Sequence, residues 1–142
     1  MWLLLKLLLC VGFASAQGGP LLLTPYINSG NIEEARKLSL VTSLTPNITS
    51  YSGFITIEET CDSNLFFWFF PSQNDWLTDP VTLWLQGGPG VSGIKGMLQE
   101  YGPYKIGENG NLELRDYSIN QNSSVIYVDN PIGSGFRYST YE

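Results

Sequence analysis

Val81-Thr82-Leu83-Trp84-Leu85 runs straight into Gln86-Gly87-Gly88-Pro89-Gly90. A short apolar run stopped by glycine and proline predicts a buried strand ending in a sharp, bare loop. Glycine tolerates positive φ at little cost and lets another group approach the main chain closely. Proline fixes φ and gives up its own donor. A loop of this kind can present backbone N–H groups to a phosphate or a developing anion. The rest of the chain has to say which anion.

The chain has 142 residues, 43% hydrophobic and 14% charged, with 4 Trp, 8 Tyr and 7 Phe. That composition excludes disorder and can fill the core of one modest domain. Residues 1–16 read as a secretory signal peptide. An apolar run through Phe13 leads to Ala14-Ser15-Ala16, a small-residue cleavage site before Gln17. The run is too short for a transmembrane helix, which needs ~20 residues. The alternative is a retained N-terminal anchor. No membrane span is expected later, so the expected setting is the secretory pathway, either secreted or lysosomal. Net charge is −6, one unit more negative once Lys6 leaves with the signal. An acidic domain is a poor partner for nucleic acid. Of two cysteines, Cys10 lies in the signal and Cys61 remains, an odd thiol in a secreted chain. Histidine is absent. These residues alone therefore cannot build a Ser-His-Asp or Cys-His site.

In chain order, residues 17–50 form an N-terminal arm and 51–142 the main domain. Residues 17–30 read as extended, and Asn31 to Leu38 as a short helix with Asn31 as N-cap. Asn47-Ile48-Thr49 and Asn122-Ser123-Ser124 are N-glycosylation acceptors. Ser52 to Glu58 and the aromatic run Leu65 to Phe70 flank a turn-like segment and predict an antiparallel hairpin. The aromatic run is better explained as a strand buried on both faces than as a ligand box. Ser92 to Tyr101 has helical spacing at Ile94, Met97, Leu98 and Tyr101. Tyr104–Ile106 and Leu112–Leu114 suggest a small second hairpin. Ser124 to Asp129 reads as another strand, ending in a second glycine loop, Asn130 to Phe136. The long connection between Leu85 and Ser124 leaves room for a crossover between parallel strands. The fold class is α/β with a mixed sheet, an antiparallel hairpin followed by parallel strands. Functional loops in such sheets follow the carboxyl ends of strands, where both glycine loops sit.

Three chemistries compete for the first loop, beside a plain structural turn. Gly88 to Gly93 satisfies G-x-G-x-x-G, with Glu113 about twenty residues further on, as in dinucleotide sites. Pro89 cannot donate to a pyrophosphate, however, and the strand is the third rather than the first. A P-loop fails because Lys95 neither directly follows Gly93 nor precedes a Ser or Thr. An oxyanion-hole loop fits better, since α/β-hydrolases take one donor from the loop after the third strand.

Three ordered motifs carry a family resemblance. Pro80 to Gly90, Glu100-Tyr101-Gly102-Pro103-Tyr104, and Tyr127 to Ser139 resemble the N-terminal third of a serine carboxypeptidase. The Leu-Phe-Phe-Trp-Phe-Phe-Pro strand and Gln86 are most similar to the vitellogenic carboxypeptidase-like branch. The resemblance implies an incomplete α/β-hydrolase fold and removal of C-terminal residues from peptides, usually at acidic pH. Peptide or protein C-termini would be its partners, and no cofactor or metal is implied. By resemblance, the Gly88 N–H donates to the tetrahedral oxyanion; losing such a donor costs ~10²–10³ in turnover. Gln86 and Glu100 match positions that bind the substrate's terminal carboxylate, framed by Trp84 and Gly87. Many relatives carry Asn where Gln86 stands. Glu100 can meet a carboxylate only when one of the two acids is protonated, which suits an acidic optimum.

The chain departs from its relatives in two ways. Val91-Ser92-Gly93 stands where many have a disulfide cysteine and serines, so the resemblance implies no disulfide pairing for Cys61 within these residues. No G-x-S-x-G nucleophile elbow occurs in the 142 residues. The chain is therefore expected to be a fragment without turnover of its own, with Val81 to Leu85 as a hydrophobic sheet edge. A secreted, non-catalytic peptide-binding or partner-binding glycoprotein is the alternative.

Overall fold

The computed structural model describes residues 19–42, 48–131 and 133–139. The signal-peptide reading and the Asn47 acceptor lie outside these residues. Two short helices come first, α1 (Thr24–Asn28) and α2 (Ile32–Ser39). The arm expected to be extended is thus partly helical. Pro25 sits in the first turn of α1, where its missing N–H costs nothing. Asn31 does precede α2, but its side chain makes no capping bond.

Strands β1 (Tyr51–Glu58) and β2 (Ser63–Phe70) form the expected antiparallel hairpin, with Tyr51 opposite Phe69 and Ile55 opposite Leu65. Next come β3 (Val81–Leu85), α3 (Gly93–Gly96) and a π-helical turn (Met97–Tyr101). The expected helix from Ser92 to Tyr101 is therefore split, opening as α-helix and widening by Met97. Strands β4 (Tyr104–Ile106) and β5 (Leu112–Leu114) make the predicted second hairpin. After a single 3₁₀ turn (Ile119–Gln121), β6 (Ser124–Val128) completes the main sheet.

The sheet order is β1-β2-β6-β3. β6 runs antiparallel to β2 and parallel to β3, so the connection after β3 is the parallel crossover that the sequence spacing allows. Strand alternation sends Trp68, Phe70, Val125, Tyr127 and Trp84 to one face. There Phe70, Val125 and Tyr127 bury with Met97 and Tyr104 to form the core. The Phe70 ring lies 5.9 Å from both Tyr104 and Tyr127 and 5.3 Å from Trp68, in edge and offset geometries that aromatic pairs favour.

The aromatic strand is less buried than its composition predicts. Phe70 is buried, whereas Leu65 to Phe69 are half-buried. On the opposite face, Val81, Leu83 and Leu85 each expose more than half their surface. Among the described residues, β3 pairs only with β6 and is an edge strand, as expected. The free edge of β1 is partly covered: Leu21 and Leu23 exchange backbone bonds with Phe54, and Val41 donates to Ser50 just before the strand.

Candidate active site

The two glycine loops emerge side by side because β3 and β6 are parallel neighbours. Leu85 pairs with Val128, so Gln86 and Asp129 leave the sheet together. Pro89 follows Gly88 through a cis peptide. Gly88 has φ +151° and Gly90 φ +85°, conformations that L side chains rarely adopt. A Cβ on Gly88 would also stand 2.8 Å from Val91 Cγ2. Gly87 and Gly88 are both exposed at this turn.

Three of the side chains singled out in the sequence meet beside the loop. Trp84 Nε1–H donates to Gln86 Oε1 at 2.8 Å, and Gln86 Nε2 donates to Glu100 Oε1 at 2.8 Å. The indole only donates, and Glu100 Oε1 accepts. The Gln86 amide is therefore locked in one orientation between them. One amide hydrogen on Nε2 is left for a further acceptor. Trp84 sits between Tyr101 and Tyr127, its ring tilted to both, with centroids 5.6 and 6.2 Å away. Burial pushes the Tyr127 phenol well above the usual tyrosine range, and the charge of Arg115 partly opposes that. Gly96 of α3 presses on the same group. A Cβ there would lie 2.3 Å from both Gln86 Oε1 and Trp84 Nε1. The helix can pack this closely only because residue 96 has no side chain.

Asn122 is exposed just before β6 and takes no part in this cluster. Among the described residues, no group of three or more His, Cys, Asp or Glu could hold a metal ion. No helix there is long and apolar enough to cross a membrane.

The sequence reading gave Asp129 no role of its own, placing it at the end of a strand and within the Tyr127 to Ser139 motif. Its side chain is only 1% exposed and accepts three hydrogen bonds from two separate loops. The available signal was an acid directly after the apolar Val-Ile-Tyr-Val run and before a glycine loop. A carboxylate in that place is buried and must find donors.

This geometry can be set beside known proteins. A serine carboxypeptidase family model (Peptidase_S10) matches residues 41–142. The chain is 49% identical over 123 residues to the human "Probable serine carboxypeptidase CPVL", covering 86% of this chain and 26% of that protein. It is 46% identical over 123 residues to the vitellogenic carboxypeptidase of Aedes aegypti, with the same coverage. The crystal structure of Kex1(Δ)P, a prohormone-processing carboxypeptidase from Saccharomyces cerevisiae, superposes with a TM-score of 0.60 at 31% identity. That match covers 72% of this chain and 24% of that one. The chain thus spans about a quarter of the length of the relatives it matches. The Trp84–Gln86–Glu100 cluster, the bare glycine turn beyond β3 and the mixed sheet beneath them are parts of an α/β-hydrolase fold, and the chain belongs to the serine carboxypeptidase family.

Proposed function

We propose that this chain forms one wall of a carboxypeptidase site that receives the free C-terminus of a peptide. Gln86 offers its remaining amide hydrogen to the terminal carboxylate, Glu100 supplies a carboxyl beside it, and Trp84 and Gly87 frame the recess. The backbone N–H of Gly88 acts as an oxyanion donor when the scissile carbonyl becomes tetrahedral. The observation that carries the reading is the Trp84–Gln86–Glu100 relay, whose two 2.8 Å bonds pre-orient an amide donor next to the exposed glycine turn. Two carboxylates at contact distance repel, so peptide binding brings a proton with it and strengthens in acid. The 142 residues hold no His and no G-x-S-x-G, so the chain by itself releases no C-terminal residue. Residues 14–16 and the exposed Asn122 support a glycosylated product of the secretory pathway, secreted or lysosomal.

The test is calorimetric titration of an N-acyl dipeptide and its C-terminal amide at about pH 5 and about pH 7.5. The free acid binds, more tightly at the lower pH, and the amide binds about tenfold more weakly, as expected for one lost charge-assisted bond. Gln86→Ala removes the preference. Equal affinity for acid and amide would sink the reading.

A second reading, a non-catalytic glycoprotein that docks a protein partner, is favoured by one observation. Val81, Leu83 and Leu85 form an uncovered apolar stripe on the β3 edge strand.

A further inference from the structure

The Gly88 turn has no regular secondary structure of its own, yet an oxyanion donor has to point in one direction. The bonds around Asp129 supply that constraint. Oδ1 accepts from Ser92 Oγ at 2.6 Å and from the Gly93 N–H at 2.8 Å; Oδ2 accepts from the Phe136 N–H at 2.7 Å. Ser92 gives its proton to Asp129 and keeps a lone pair for the Ile94 N–H, at 3.2 Å, so its hydroxyl both donates and accepts. Both ends are packed without slack. A Cβ on Gly93 would lie 2.6 Å from the Val128 carbonyl oxygen, and a Cβ on Gly135 would lie 2.0 Å from Asp129 Oδ2. The second loop is itself braced. Ser134 N–H donates to the Pro131 carbonyl at 3.1 Å, and Arg137 Nη1 donates to Asn130 Oδ1 at 2.9 Å. Asp129 is anchored to the sheet as well, its own N–H donating to the Phe66 carbonyl at 3.2 Å.

We infer that Asp129 is a positioning residue that sets the direction of the Gly88 N–H. The path is short. The Asp129 carboxylate fixes Ser92 and Gly93, these fix Val91, and Val91 packs against Gly88. Asp129 touches none of Trp84, Gln86 or Glu100 through the bonds that join those three. The two halves of the proposed site thus lean on opposite ends of α3: Gly96, its last residue, packs on Trp84 and the carboxylate-recognising half, and Gly93, its first, is bonded to Asp129 on the oxyanion side. The catalytic meaning of this inference rests on the carboxypeptidase reading; the clamp itself does not.

An amide at 129 cannot replace the acid. One of its two positions becomes a donor and faces either the Phe136 N–H or the Ser92–Gly93 pair. Residual dipolar couplings of the isotope-labelled chain report the direction and order of each N–H. In Asp129→Asn and Ser92→Ala, the Gly88 coupling should collapse towards zero while the Trp84 indole and β6 couplings keep their values. Amide-exchange protection of Gly93 falls about 10- to 100-fold in Asp129→Asn, as for loss of a bond to a charged acceptor. Ser92→Thr keeps the hydroxyl and retains the Gly88 coupling. If Asp129→Asn does not fold, the Ser92→Ala and Ser92→Thr pair decides alone. Wild-type Gly88 couplings in Ser92→Ala and in any folded Asp129→Asn overturn the inference. Titrating an N-acyl dipeptide into the same labelled chain separates the two ideas. No response at the Gln86 side-chain amide defeats the carboxypeptidase reading and leaves the clamp to be judged on its couplings.

Discussion

Gly96 shows how much of a site can depend on an atom that is absent. Its missing Cβ leaves room for the Trp84 indole and the Gln86 amide to meet under α3. Gly96→Ala puts a methyl where both polar atoms now stand, and neither can move without breaking their 2.8 Å bond. The expected cost is about 1–3 kcal/mol of stability, the usual range for overpacking, measured as a lower urea midpoint at unchanged slope. The Trp84 indole N–H resonance moves with it; an unmoved resonance would show that the helix had simply shifted away. The family resemblance proposed Trp84, Gln86, Gly87, Gly88 and Glu100 from three ordered motifs, and the structure brings the Trp84, Gln86 and Glu100 side chains together. It did not reach Gly96 or Asp129. An acid after an apolar run marks Asp129 as a group in need of donors, but which donors it finds, at 92, 93 and 136, and what Gly96 leaves room for, at 84 and 86, are contacts across the chain that no local pattern encodes.

Among the elements, the loop between β2 and β3 is organised by one acid. Asp79 Oδ2 accepts from Ser72 Oγ at 2.5 Å, from the Asp75 N–H at 3.0 Å and from Asn74 Nδ2 at 3.3 Å. The Ser72 hydroxyl, followed by the Asp75 amide, holds the Asp79 carboxyl below the usual carboxylate range. A depressed folded value adds stability above the ordinary pKa, and that stability disappears as pH falls through the depressed one. Asp79→Asn should therefore flatten the acid limb of stability below about pH 4, read as urea midpoints along a pH series. Parallel limbs for the two chains would refute the assignment. The hairpins were legible because strand alternation and turn residues are local signals. Helix α1 was not: Gly, Pro and Asn around residues 17–30 resemble a coil, and tertiary packing against β1 overrides that composition, with the Thr24 hydroxyl accepting from the Thr56 N–H at 2.7 Å. The π-helical turn after α3 has no sequence signature either. Burial on both faces overstates Leu65 to Phe69, which are half-buried, because aromatic content signals capacity for burial while the layers packed on each face decide it.

The whole molecule is asymmetric about its sheet. Apolar residues Val81, Leu83 and Leu85 stand uncovered on β3, and such an edge is a template for pairing. Concentration-dependent association is expected by light scattering. Leu83→Lys should suppress it, since an added charge on an open strand disfavours edge pairing. Association equal to that of the unmodified chain would place the contact elsewhere. The sequence pointed to this edge through the family resemblance, but the strand order β1-β2-β6-β3 that creates it is a property of long-range pairing.

The blocked edge of β1 has a consequence for stoichiometry. A sheet open on both sides can be extended again and again, and its products are fibres without a fixed size. Among the described residues, Leu21, Leu23 and Val41 already occupy the far side of the four-stranded sheet, so that sheet offers one open edge. Joining two such edges consumes both, and growth through the sheet terminates at the pair.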